Sequence, residues 1–369
     1  MGFMSVLKNI LGPKPPKKKK PITQMQLEIS HLSPTEPEEN KFMDKEVFLR
    51  IANFFDQVKV VNFSGWGDPL EHPEALEMFR IAREKGGRVH IVTEGKLLTP
   101  SLCQQIVELG IEKLTIKLCP PHNTLDQVRE SLENILSLRK NDPEIILDYK
   151  LTVNNLNLLP QVLESASSLN INEFKTSNLD FIFTEELNNS KVFEGKVSDE
   201  NRGDLIKQGK VKGKAEYEEI ISQTEKIANK LGVYFTPPQT LVPKEAVVCE
   251  YEPLKNVFIT WEGRLAPCPF LSLNKISYYF NEQKLEQTPY IVGDLKTTDL
   301  ENLWNENKYE EFRNVYQKRV QLFNAYMEET FEGEPNAQLL ANNYEKLDRQ
   351  LLENKVPDCC RSCYKAYSI

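Results

Sequence analysis

The sequence predicts an α/β fold in which a parallel sheet curls into a whole or partial barrel, followed by a small domain built around cysteines. Six short apolar runs alternate with stretches of helical periodicity, and each run is typical of a strand buried on both faces. Beyond Val248 the alternation stops and cysteines become frequent. The predicted strands are Met25–Ser30, Val58–Ser64, Val89–Thr93, Lys113–Leu118, Ile145–Val153 and Asn172–Thr176.

The segments between these runs carry helix signals at their ends. Thr99 and Pro100 supply an N-cap and a first helical residue, positions where these residue types favour a helix start. Gly110 and Gly232 follow apolar-periodic stretches, where glycine favours a helix end. The last helix of this part is predicted over Ala215–Leu231. Right-handed crossovers between successive strands would curl such a sheet into a barrel.

Composition excludes several classes of protein. Of 369 residues 40% are hydrophobic, and 46 Lys and Arg against 54 Asp and Glu give a net charge of −8, as in an ordinary globular chain. No apolar run reaches the roughly 18 to 20 residues that span a bilayer, so we expect no transmembrane segment. The acidic balance argues against a nucleic-acid binder. No secretory signal pattern is present, so the cytoplasm is the expected location.

Three regions are predicted along the chain. Residues 1–22 carry six lysines and no acid, and neighbouring like charges favour a flexible basic tail. Residues 23–248 form the barrel-like region. Residues 249–369 form the small C-terminal domain, with a strand over Asn256–Trp261 and a helical insertion at about 309–355.

The cysteines predict a metal centre in the C-terminal domain. Of seven cysteines only Cys103 and Cys119 precede residue 249. Two thiolates at a CxxC spacing can grip one metal from a single turn, and two from a distant hairpin can complete a four-thiolate set. Zinc and an iron-sulfur cluster both accept such a set. The candidate ligands are Cys249, Cys268, Cys360 and Cys363, with Cys359 as a spare thiol or substitute ligand.

A glycine-containing turn follows the second predicted strand. The residues Gly65, Trp66, Gly67, Asp68 and Pro69 lie between this strand and the next helix. Glycines there let the backbone approach a ligand at the rim where α/β enzymes place their sites. A plain tight turn is the structural alternative.

These features together resemble the radical S-adenosylmethionine (SAM) superfamily with a C-terminal SPASM or shorter twitch domain. The similar segments are MQLEIS, FSGWGDPLEHP, IVTEGKLLTP, LTVNNLNLLP, the C-x13-G-x4-C hairpin, IVGDL followed by LENLWNENKYEEFR, and the closing CxxC. The resemblance implies a partial (βα)6 TIM-like barrel that holds SAM at its rim through the turn at Gly65–Pro69. It also implies an auxiliary 4Fe-4S cluster bound by the four candidate cysteines.

The sequence departs from the family where SAM is cleaved. Relatives carry CxxxCxxC in the loop after the first strand, whereas the loop from His31 to Met43 contains no cysteine. Generating a 5′-deoxyadenosyl radical requires an iron with an open site, so the resemblance implies that this chain does not cleave SAM reductively. Glu94, Lys117 and Cys119 also replace the Asn, Ser and Asp of relatives.

A full SPASM domain binds a second cluster through further cysteines. The next ligand position, six residues beyond the CxxC, is Ile369. The resemblance therefore implies one auxiliary cluster.

The leading hypothesis is a pseudoenzyme of this family that keeps the fold and one cluster. It would serve as an electron relay, a substrate-binding or peptide-binding protein, or an accessory subunit. Its partner would be an active radical SAM relative, a peptide substrate or an electron donor. A second hypothesis is an active radical SAM enzyme that modifies a peptide or cofactor precursor with an atypical catalytic cluster. A third is a zinc-stapled interaction protein. No catalytic residue is assigned under any of them.

Overall fold

The computed structural model describes residues 22–35, 41–139, 142–193, 215–238, 245–331 and 337–367. The predicted basic tail lies outside the described residues except for Ile22, which is buried. Glu36, Glu38 and Glu39, which belong to the cysteine-free loop, also lie outside them, as does Ile369.

Fourteen strands are found in the described part of the chain. They are β1 (Gln24–Leu27), β2 (Ser30–His31), β3 (Lys41–Phe42), β4 (Val60–Phe63), β5 (Arg88–Thr93), β6 (Lys113–Leu118), β7 (Glu144–Lys150), β8 (Glu173–Ser177), β9 (Phe235–Thr236), β10 (Asn256–Ile259), β11 (Arg264–Ala266), β12 (Ser277–Phe280), β13 (Gln283–Glu286) and β14 (Gly293–Asp294). Ten of them form one sheet in the order β14-β11-β10-β1-β4-β5-β6-β7-β8-β9.

Eleven helices are described with them. They are α1 (Lys45–Ala52), α2 (Ala75–Glu84), α3 (Pro100–Glu108), α4 (Leu125–Leu138), α5 (Leu159–Ser167), α6 (Glu185–Ser190), α7 (Ala215–Leu231), α8 (Pro269–Ser272), α9 (Leu300–Trp304), α10 (Asn307–Phe331) and α11 (Ala337–Glu353). The Oγ1 of Thr99 accepts a hydrogen bond from the amide of Leu102 at 3.2 Å and caps α3. Gly110 and Gly232 follow helices at φ of +63° and +69°, so glycine is needed at both ends. None of the described helices is long and apolar enough to cross a membrane.

The predicted parallel sheet is confirmed. Every neighbouring pair from β10 through β1 and β4 to β9 runs parallel, whereas β11 and β14 are antiparallel. The first strand is shorter than predicted and ends at Leu27, because the chain turns at Glu28 before the short pairing of β2 with β3. The two-residue strand β9 had too little periodicity to be predicted.

The two faces of the sheet differ in chemistry. One face carries fully buried aliphatic and aromatic side chains, such as Leu27, Phe63 and Ile91, that belong to the main core. The opposite, concave face carries polar side chains that line a cavity, including Gln26, Asn62 and Thr115. A polar concave face differs from the branched apolar filling of a closed barrel, so it leaves room for a ligand.

The C-terminal segment joins the same sheet and adds a helical hairpin. Strand β10 pairs in parallel with β1, from Gln24 opposite Asn256 to Leu27 opposite Ile259. The predicted helical insertion forms α10 and α11, which pack against each other.

A buried arginine ties this hairpin to the preceding segment. Arg319 is fully buried and lies 3.0 Å from a carboxylate oxygen of Glu245. Its guanidinium also donates to the carbonyl oxygens of Ala246 at 2.8 Å, Val247 at 3.2 Å and Leu351 at 3.2 Å. Arg319 therefore links segments more than 100 residues apart along the chain.

Candidate cluster site and the barrel mouth

The four candidate cysteines come from three segments of the C-terminal region. Cys249 precedes β10, Cys268 lies between β11 and α8, and Cys360 and Cys363 follow α11. The sulfur of Cys268 interacts electrostatically with those of Cys249 and Cys363, and the sulfur of Cys360 with that of Cys268. The fold therefore brings all four thiols into one neighbourhood, and all four are free.

All four candidate cysteines are partly buried. Burial raises the pKa of Cys249 to about 12 and that of Cys363 to about 11. Burial also raises the pKa of Cys268 well above its ordinary value. A buried thiol is inert as long as it is protonated, and a metal or cluster bound there would have to hold it as the thiolate.

Backbone amides a few residues further along the chain donate to three of these four sulfurs. The donors are Tyr251 to Cys249, Phe270 and Leu271 to Cys268, and Lys365 and Ala366 to Cys363. Such hydrogen bonds stabilise negative sulfur and tune iron-sulfur clusters. The donor set therefore fits a centre that takes thiolates.

The spare thiol behaves differently. Cys359 shares a hydrogen bond with Cys360, which lowers the pKa of Cys359 and raises that of Cys360.

Among the described residues, no three or more His, Cys, Asp and Glu side chains are arranged so that they could hold a single metal ion. Thiolates of a 4Fe-4S cluster enclose four irons and four sulfides, whereas those of zinc lie about 2.3 Å from one ion.

A buried ion network lies beside the thiols. The ammonium of Lys365 is 5% exposed and lies 2.5 Å from Asp180 and 2.6 Å from Glu250. Asp180 also pairs with Lys150 of β7. Burial opposes the charge of Asp180, but the two ammonium groups hold the pKa of this carboxyl well below its ordinary value. The positive charge of Lys365 also favours the thiolates of Cys249 and Cys363.

Hydrogen bonds to neighbouring segments of the chain hold the glycine-containing turn in place. The amide of Trp66 donates to Glu28 at 3.0 Å, and the amide of Gly67 to the carbonyl of Ser30 at 3.2 Å. The carboxylate of Asp68 accepts from the Thr93 hydroxyl at 2.6 Å. A Cβ on Gly67 would lie 2.8 Å from the Ser30 hydroxyl. A Cβ on Gly65 would lie 2.5 Å from the Glu28 side chain, so both glycines allow close packing against the segment that follows β1.

Glu28 fastens this turn to the C-terminal region. Its carboxylate is 1% exposed and accepts from the amides of Trp66 at 3.0 Å and Trp261 at 3.3 Å. His31 Nδ1 lies 3.0 Å from the same carboxylate, and the His31 ring stacks on Trp261 with centroids 6.1 Å apart. Glu28 and His31 both line a cavity of about 780 Å³.

Three positions at which this sequence departs from the resembled family lie around the same rim. Glu94 is exposed and pairs with Lys96 at 2.7 Å. Lys117 lines the concave cavity. Cys119 follows β6 and is exposed. The structure therefore places new charge at this rim.

Sequence reasoning missed Glu28, Asp180 and Lys365. A charged residue inside the apolar run MQLEIS was the available signal for Glu28, because a buried carboxylate requires hydrogen-bond donors. Asp180 and Lys365 carried no local signal, since they meet only in the folded chain.

Comparison with known proteins agrees with the fold. Residues 249–329 match the family model of the SPASM domain, described as an iron-sulfur cluster-binding domain. This match contains Cys249 and Cys268 and ends before Cys360. Two curated proteins also match parts of this chain.

The longer of these two matches is to the tungsten-containing aldehyde ferredoxin oxidoreductase cofactor-modifying protein of Pyrococcus furiosus. Identity is 25% over 288 residues, which are 73% of this chain and 75% of that protein. The AdoMet-dependent heme synthase of Methanosarcina barkeri is 26% identical over 129 residues, 32% of this chain and 37% of that protein.

Solved structures are similar in fold. Streptococcus suis SuiB bound to precursor peptide SuiA superposes with a TM-score of 0.51 at 12% identity, over 79% of this chain and 66% of SuiB. The structure of anSMEcpe with bound AdoMet and a Kp18Cys peptide gives 0.53 at 13% identity, over 90% of this chain and 97% of that chain.

Proposed function

Because this chain is a radical SAM superfamily protein with a SPASM domain, we propose that it binds one auxiliary 4Fe-4S cluster and does not cleave SAM reductively. Cys249, Cys268, Cys360 and Cys363 would hold the cluster. The observation that carries the proposal has two sides. Four thiols lie near one another in the C-terminal region, whereas at the barrel mouth the carboxylate of Glu28 holds the glycine-containing turn.

Three features support cluster binding. Amides donate to three of the four sulfurs. The ammonium of Lys365 lies among carboxylates beside Cys249 and Cys363 and offsets part of the negative charge that thiolates bring. Partial burial of the four cysteines limits the access of water to the centre. A cluster bound there supplies single-electron transfer.

The barrel mouth supports the loss of SAM cleavage. The first cysteine of the chain is Cys103, and its thiol is buried on α3, where it donates to the carbonyl of Ser131 at 3.7 Å. The loop from His31 to Met43 therefore offers no thiolate for a catalytic cluster. The amide of Trp66, in the turn that the resemblance assigns to SAM, is already bonded to Glu28.

A chain with these properties would act beside an active enzyme. Its relatives include a cofactor-modifying protein and a fold neighbour that was solved with a precursor peptide. We infer an accessory role in which the chain relays electrons or binds substrate for a radical SAM enzyme that modifies a peptide or a cofactor, in the reducing cytoplasm.

Metal analysis of the anaerobically purified chain tests the cluster. We expect about four irons and four sulfides per chain with a brown colour, and zinc in place of iron would overturn the assignment. Cys268→Ser should lose most of the iron. Cys119→Ser is the matched control, because Cys119 lies at the barrel rim, and it should keep the full iron content.

Incubation with SAM and dithionite tests the second half of the proposal. We expect no 5′-deoxyadenosine above the level of a heat-treated sample, with the iron content of the chain verified beforehand. Formation of 5′-deoxyadenosine by the loaded chain would contradict the proposal and identify an active enzyme with an atypical cluster. Loss of that product in Cys119→Ser would then place the extra cluster at the barrel mouth.

A further inference from the structure

A buried ammonium group joins the segments that carry two of the candidate cluster ligands. Lys365 comes two residues after Cys363. Its Nζ lies 2.6 Å from Oε1 of Glu250, which directly follows Cys249. The same ammonium lies 2.5 Å from Oδ1 of Asp180. Two carboxylates therefore fix the position of the Lys365 charge, and the ion pair with Glu250 links one ligand segment to the other.

Water screens the charges of this network to different degrees. The two lysines, Lys150 and Lys365, and the two carboxylates, Asp180 and Glu250, sum to zero formal charge. The side chain of Lys365 is 5% exposed, whereas that of Glu250 is 53% exposed. Asp180 is shared between both ammonium groups. Because an exposed charge is screened more strongly than a buried one, the positive charge of Lys365 acts more strongly on its surroundings than the negative charge of Glu250.

Both of these charges reach the candidate ligands. The ammonium of Lys365 and the carboxylate of Glu250 each interact electrostatically with the sulfurs of Cys249 and Cys363. The charge around an iron-sulfur cluster is one of the factors that set its reduction potential. Reduction adds one electron, and hence one negative charge, and it breaks no bond in the chain. A positive charge fixed nearby favours the reduced form, and a negative charge opposes it.

We propose that the ammonium of Lys365 raises the reduction potential of the auxiliary cluster and that the carboxylate of Glu250 lowers it. The inference rests on the proposed function, because it requires a cluster held by the four cysteines. It goes further in assigning a role to side chains that bind neither iron nor sulfide. An ion pair that only joins the two ligand segments is the alternative, and it predicts no shifts of opposite sign when one partner or the other loses its charge.

Redox titration of the anaerobically purified, iron-loaded full chain with dithionite, followed by electron paramagnetic resonance, tests the inference. We expect Lys365→Met to lower the midpoint potential by about 59 mV, which is a tenfold change in the one-electron equilibrium constant. Glu250→Gln should raise the potential by a smaller, about threefold, change in this constant, because water already screens the carboxylate.

Two further variants separate the effect of charge from other effects. Lys365→Arg keeps the charge and should retain most of the potential of the unmodified chain. Lys226→Met is the matched control, because it removes the same charge from an exposed position on α7, and it should leave the potential unchanged.

The iron content of each sample distinguishes failure of this inference from failure of the proposed function. An unmodified chain without iron would overturn both. Loaded variants whose potentials equal that of the unmodified chain would overturn this inference alone, as would shifts of the same sign in Lys365→Met and Glu250→Gln or an equal shift in Lys226→Met. If Lys365→Met does not hold the cluster, Glu250→Gln decides: a raised potential supports the inference, and an unchanged or lowered one refutes it.

Discussion

Replacing Glu28 with glutamine tests how the barrel mouth is held together. The carboxylate of Glu28 accepts from two backbone amides, at 3.0 Å from Trp66 and 3.3 Å from Trp261, and is 1% exposed. Glutamine keeps the shape but presents an NH2 group to one of these donors. One buried amide then lacks an acceptor, which costs about 1–3 kcal/mol, and the remaining bonds lose the assistance of the charge.

We therefore expect Glu28→Gln to lower the free energy of unfolding by about 2–4 kcal/mol. Denaturant unfolding followed by tryptophan fluorescence measures this as a lower midpoint at unchanged slope. Glu225→Gln on the exposed face of α7 is the matched control and should stay within about 0.5 kcal/mol of the unmodified chain. If Glu28→Gln also stays within that range, the carboxylate does not fasten the turn and the reasoning is refuted.

Three further predictions concern packing, charge and pH. Arg319→Met should cost about 3–5 kcal/mol in denaturant unfolding, because it leaves Glu245 buried without its partner, and Arg319→Lys should not restore the loss. Gly67→Ala should lower the melting temperature, because its Cβ would lie within 3.0 Å of Ser30. Burial lowers the pKa of His90 in the folded chain. As the pH falls below about 6.5, the His90 imidazole is therefore protonated in the unfolded chain before it is protonated in the folded chain. The free energy of unfolding should therefore fall from pH 7 to pH 5, and His90→Gln should make that dependence shallower.

The local sequence pattern located individual strands better than it predicted which strands pair. The strands β4 to β8 could be located because apolar alternation is a property of neighbouring residues. The pairing of β10 with β1 could not, because it joins residues more than 200 positions apart. The same limit applies to the candidate site: cysteine spacing indicated four ligands, but the amides and Lys365 around them depend on the folded chain.

The buried Glu28 and the lysines of β7 and β8 illustrate the same limit. A sequence shows that a charged residue is present and on which strand it lies, but its partner is decided by neighbours in space. Lys150 and Lys175 look alike in sequence, one strand apart. Only the fold shows that Lys150 meets Asp180, whereas Lys175 meets no described carboxylate.

The shared sheet has a practical consequence for anyone who wishes to shorten this protein. Strand β10 covers one edge of β1 from Gln24 to Leu27. A fragment that ends before β10 would leave the backbone N–H and C=O groups along one edge of β1 unpaired. Such an edge can pair with a strand of another molecule and so act as a template for aggregation. The first strand of the barrel is thus completed by a segment made more than 200 residues later, and that edge stays without its partner in the nascent chain until β10 has been synthesised.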